Sequence, residues 1–87
     1  MDNKEDQIAD ITEKKRESIV EAVLFTMGES VELRQLAAAI GEGEDIARQT
    51  VEALRETYDK EKRGIQIIEL DKSYQMCTRA EYYENLI

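Results

Sequence analysis

Between Ser30 and Arg63 two apolar-striped segments are separated by the break Gly41-Glu42-Gly43, and this spacing restricts the fold more than any other feature of the chain. Leu33, Leu36, Ala37 and Ile40 recur at helical spacing, and Gly41 offers the left-handed position that ends a helix. After the break, Ile46, Ala47, Val51, Leu54 and Tyr58 recur at threes and fours, with Glu44 and Asp45 at the positive end of the new helix. Two short helices joined by a few Gly-containing residues read as a helix-turn-helix. Lys60-Glu61-Lys62-Arg63-Gly64 ends the second of these helices, with Gly64 expected to turn the chain, and leads into Ile65 to Leu70, a strand that carries apolar side chains on both faces. Asp71-Lys72-Ser73 makes a polar turn, and Tyr74 to Thr78 returns as the second strand of a hairpin. The expected architecture is mixed α/β of the α+β kind: a winged helix-turn-helix with a small antiparallel sheet, three helices, a two-stranded wing and the start of a fourth helix.

The first of the three helices lies upstream of the break. Ile19, Val20, Val23, Leu24 and Met27 fall on one stripe of the segment Glu17 to Gly28. Phe25 projects about 100° beyond Leu24, on the side that also carries Ala22. Two fates are open for it: burial between the helix pair and the sheet, the commoner fate of a large aromatic and the one ranked first, or exposure as an anchor for another chain. Glu29-Ser30-Val31 connects to the second helix and can add a short strand. Ser30 or Glu32 caps that helix, and neither is expected to form a capping box, since Gln35 has no Ser or Thr three residues before it. Thr78-Arg79-Ala80-Glu81 reads as a capping box that opens the fourth helix at Tyr82 and Tyr83, with Leu86 and Ile87 on its apolar face. A chain that stops on that face reads as a fragment of a longer one.

Residues 1–16 are dominated by charge, with Ile8, Ala9 and Ile11 as apolar relief. They read as a flexible charged leader before a domain spanning 17–87, with docking of Ile8 and Ile11 onto a partner as the lesser alternative. Charge also sorts the candidate functions. The 87 residues carry a net charge of −8, which repels phosphate backbones. In the third helix Glu44, Asp45, Glu52, Glu56 and Asp59 outnumber Arg48, Arg55 and Lys60, and Glu52 stands between the two arginines. A helix that reads a DNA groove needs the opposite balance. Direct nucleic-acid binding is therefore not expected, and a winged-helix transcriptional regulator is the second-ranked function. The chain has no His, no nucleophile set beside a base, no metal-ligand spacing and no phosphate-binding Gly loop, so no catalytic, cofactor or metal site is expected. Cys77 has no internal partner for a disulfide and reads as a packing residue. No apolar run has the length of a signal peptide or membrane span, which points to a cytoplasmic protein.

The runs Ile19-Val20-Glu21-Ala22-Val23-Leu24-Phe25, Arg63-Gly64-Ile65-Gln66-Ile67-Ile68-Glu69-Leu70 and Tyr74-Gln75-Met76-Cys77-Thr78-Arg79-Ala80-Glu81-Tyr82, with Val31, Leu33 and Leu36-Ala37 between them, resemble one known family. It is the N-terminal winged-helix domain of segregation and condensation protein B, and the resemblance runs from Ser18 to Ile87. The family often has Pro where Ser30 and Ala80 stand and Gly in the wing turn occupied by Asp71-Lys72-Ser73. The resemblance implies a non-enzymatic interaction subunit with two winged-helix domains, the second absent from this chain. Such a subunit dimerises, binds the kleisin that links it to the SMC ATPase, and acts in chromosome condensation and partition, associated with the nucleoid through the complex. It implies further that the N-terminal domains pair, while kleisin binding depends more on the C-terminal domain or the full dimer, so that this chain alone binds the kleisin weakly or not at all. The surplus apolar residues form the candidate protein interface: Phe25 and Ala22 on the first helix, Ile68 and Leu70 on the strand. The expected contact is a symmetric homodimer built from the first helix and the wing sheet.

Overall fold

The computed structural model describes the backbone from Lys4 to Ile87 and the side chains from Thr12 onward. Helix α1 spans Lys4–Met27, α2 spans Leu33–Ile40 and α3 spans Glu44–Lys60. Strands β1 (Val31–Glu32), β2 (Ile65–Leu70) and β3 (Ser73–Thr78) form one antiparallel sheet in the order β1-β3-β2, and a 3-10 helix covers Ala80–Leu86. The winged helix-turn-helix is present, with the connector strand as the third member of its sheet.

Helix α1 begins at Lys4, not at Glu17, so no break in secondary structure separates residues 4–16 from the rest. The side chains of Ile8 and Ile11 lie outside the described residues. Val20 and Leu24 are fully buried against α2, α3 and the sheet, while Met27, expected on the same stripe, is exposed. Leu33, Leu36 and Ala37 of α2 and Ala47, Val51 and Leu54 of α3 close the core from the other side, with Val31, Ile67 and Tyr74 supplied by the sheet.

Four local expectations are corrected. Gln35 does reach back to cap α2: its Oε1 accepts the Glu32 N–H at 2.9 Å in a capping box, because a Glu at the cap serves where a Ser or Thr was required. Lys62, at φ 53°, makes the left-handed turn after α3 that was assigned to Gly64. Thr78 does not cap the last helix, since it pairs with Ile65 in the sheet. Arg79 holds the cap position instead, and the helix it opens is a 3-10 helix. Finally, β3 begins at Ser73, leaving Asp71 and Lys72, both at positive φ, as a two-residue hairpin loop. Gly41, at φ 71°, ends α2 as expected, its N–H bonded to Ala38 O at 3.2 Å.

Candidate protein interface

Along α1 the buried stripe leaves Ala22 and Phe25 on its margin, and both are exposed. Phe25 is 73 % exposed, which rules out its burial inside the domain. The physical reason lies in the helix rotation: with Val20 and Leu24 aimed into the core, Phe25 stands one step past the point where the sheet can cover it. Its neighbours are Ile65, at the start of β2, and Met76 on β3, which lie on the core-facing side of the sheet with Ile67 and Tyr74. These residues border a groove of about 260 Å³ whose wall is completed by Ser18, Glu21 and Tyr58. A neighbouring hollow of about 170 Å³ shares Phe25, Ile65 and Met76 and extends to Cys77 and Gly28.

Two contacts fix the side of the groove formed by Tyr58. Its hydroxyl donates to the Glu21 carboxylate, joining α3 to α1, and the Arg63 guanidinium lies 5.8 Å from its ring centre. Burial, then the hydrogen bond to Glu21, pushes the Tyr58 hydroxyl up to about 12. The neutral donor is thus the form held at physiological pH.

Ile68 and Leu70 are not part of this groove. Strand alternation turns them, with Gln66, to the opposite face of the sheet, where Ile68 is half-buried and Leu70 is 45 % exposed. The structure therefore brings Ala22 and Phe25 together and separates them from Ile68 and Leu70. Ile65, Met76 and Tyr58 were not singled out. Their signal in the sequence was the alternation that places Ile65 with Ile67, but it becomes useful only once the hairpin register pairs Ile67 with Met76.

Both arginines of α3 are engaged by groups of the domain itself. Arg48 donates to Glu69 at 3.1 Å and to the Tyr74 hydroxyl at 3.2 Å, and the Tyr74 hydroxyl donates to Glu52 at 2.9 Å. The bond to Glu69 raises the Arg48 pKa. Arg55 lies 3.4 Å from Glu52. Among the described residues no cluster of His, Cys, Asp or Glu could hold a metal ion, and no helix is long and apolar enough to cross a membrane.

Residues 18–87 match the family model described as segregation and condensation complex subunit ScpB. Among curated relatives, the segregation and condensation protein B of Lachnoclostridium phytofermentans is 46 % identical over 74 residues, covering 85 % of this chain and 39 % of that protein. That of Agathobacter rectalis is 48 % identical over 69 residues, covering 78 % of this chain and 37 % of its own length. The chain thus spans about two-fifths of the length of these relatives. A crystal structure of a dimer of the ScpB N-terminal domain complexed with an ScpA peptide superposes with a TM-score of 0.79 at 35 % identity, covering 84 % of this chain and 91 % of that one. ScpB from Mycobacterium tuberculosis, at 19 % identity, shares the fold with a TM-score of 0.80 over 85 % of this chain and 46 % of its own. The chain belongs to the ScpB family, and it matches the N-terminal domain.

Proposed function

We propose that this domain is a non-enzymatic assembly module that pairs with a second copy of itself and, within the longer subunit, helps to hold the kleisin of an SMC complex for chromosome condensation and partition. The observation that carries the reading is Phe25, a large apolar side chain left in water beside an apolar groove, in a domain whose core is otherwise closed. Family membership supports the reading. So does the related N-terminal domain described as a dimer complexed with an ScpA peptide. That complex also revises one expectation: in the relative, N-terminal domains without the rest of the subunit meet an ScpA peptide, so weak or absent kleisin binding is no longer the default for this chain.

A domain that meets both a copy of itself and a peptide needs two surfaces, and the separation of the candidate residues supplies two. Ala22 and Phe25, with Ile65 and Met76, serve self-association. Ile68 and Leu70, on the other side of the sheet, serve the peptide. Light scattering at about 50 µM, well above a dissociation constant of about 1 µM, is expected to give a dimer for the wild type and for Ile68→Glu, and a monomer for Phe25→Glu. Anisotropy of a labelled ScpA peptide is expected to fall with Ile68→Glu. A wild type that stays monomeric at this concentration removes the self-association reading.

A further inference from the structure

The outward face of the sheet carries no charge on its two long strands. Pairing sets Gln66 beside Cys77, Ile68 beside Gln75 and Leu70 beside Ser73, all turned away from the core, where Ile67 and Tyr74 lie with the helices. With 37 % of the chain charged, a face of six residues would carry about two charges, and the water-facing side of an antiparallel sheet is where polar and charged side chains ordinarily collect. Around this sheet the charges stand at the edge instead. Glu32 on β1, paired with Ser73, has its carboxylate bonded by Arg34, and Asp71 and Lys72 form the turn beyond Leu70. Arg79, past the other end, is turned to Tyr58 O and Asp59 at the end of α3. An uncharged centre inside a charged rim is the anatomy of a protein contact.

We infer that the peptide segment seated on this face is itself uncharged, and that Gln66, Gln75 and Cys77 join Ile68 and Leu70 in contacting it. The inference rests on the peptide reading above and names the chemistry of the segment. A carboxylate or ammonium pressed against the face would lose its water and meet no opposite charge there, a cost that selects against charged side chains of either sign. Ile68, Leu70 and Cys77 supply the apolar contact. Gln66, Ser73 and Gln75 offer neutral donors and acceptors that can meet the main chain of the segment. The net charge of −8 acts at long range on the approach of any charged partner, whereas the choice made at the face is against charge altogether.

Anisotropy of the labelled ScpA peptide with the 87-residue chain tests this by placing charges of both signs on the face. Gln75→Glu and Gln75→Lys are each expected to raise the dissociation constant about tenfold or more, because either charge is stripped of water when the segment docks. Gln49→Glu and Gln49→Lys make the same changes in net charge at an exposed position on α3, beside Glu13 and Glu17 of α1, and are each expected to shift it less than about threefold. Circular dichroism checks folding, and Gln66→Glu with Gln66→Lys replaces the Gln75 pair should that pair unfold. Binding tightened by one sign at Gln75, binding indifferent to both signs, or equal effects at Gln49 and Gln75 overturns the uncharged segment while leaving peptide binding standing. A wild type that does not bind the peptide overturns both.

Discussion

Tyr74 shows how much of this domain a single side chain decides. Its residue is fully buried in the core, and its hydroxyl donates to Glu52 at the surface of α3 while accepting from Arg48. Burial, followed by the bond to Glu52, pushes the hydroxyl up to about 12 from an ordinary value of 10.0. The folded state therefore favours the neutral phenol. The sign follows: a group whose folded pKa is raised contributes stability that is fully present below pH 10 and is lost as pH rises through about 12. Urea denaturation of the wild type and Tyr74→Phe is expected to show the wild type more stable at neutral pH, with the difference shrinking between pH 10 and 12. A difference that is constant across that window would mean that the phenol is not held neutral by the fold. The same residue scale explains what happened to Phe25. Its position off the main stripe was legible from a rotation of 100° per residue, but whether neighbours could reach it depended on where β2 and β3 begin.

At the scale of elements, the two stripes that define the helix-turn-helix are also the core. Leu36 on α2 is fully buried and Leu54 on α3 is 6 % exposed, so truncation leaves a cavity beneath close-packed neighbours. Leu36→Ala and Leu54→Ala are each expected to cost about 2–5 kcal/mol, measured as a shift in urea midpoint at unchanged slope. Losses well under 1 kcal/mol at both would refute the assignment of these stripes to the core. Helices α2 and α3 and the β2–β3 hairpin were legible because periodicity, a Gly at the end of α2 and a polar turn all agree locally. The elements misjudged are those governed by contacts distant in sequence. Thr78 looked like a cap because Glu81 follows it at the right spacing, yet its backbone is committed to Ile65. Arg79, which opens the last helix, is held by the end of α3: it donates to Tyr58 O at 3.1 Å and to Asp59 at 2.9 Å. Nothing local to residues 78–81 carries that information. The early start of α1 was missed for a different reason. Charge suppresses the apolar stripe between Lys4 and Arg16, and half-buried Arg16, 4.0 Å from Glu42, is a tertiary contact that composition does not reveal.

For the molecule as a whole, the winged helix is a fold that elsewhere reads DNA, so the charge arrangement must decide whether this one does. Two levels of structure agree. Globally, −8 gives a long-range field that disfavours approach to a phosphate backbone. Locally, the cations best placed on α3 are already engaged, Arg48 by Glu69 and Tyr74, and Arg55 by Glu52. Freeing them for phosphate would leave those carboxylates facing DNA, adding repulsion where attraction is required. Non-specific affinity is built almost entirely from phosphate neutralisation, with a salt slope set by the number of contacts. A domain offering few such contacts is expected to show no rise in the anisotropy of a labelled duplex at physiological salt, even at tens of micromolar protein. Lowering the salt is expected to change this little, since the global repulsion strengthens as screening falls. A complex of micromolar affinity that weakens steeply with added salt would contradict both levels at once, and would mean that Arg48 and Arg55 exchange their carboxylate partners for phosphates. Under that outcome, Glu52→Gln would tighten binding by releasing Arg55. If the domain does not bind DNA, the same substitution leaves the anisotropy flat.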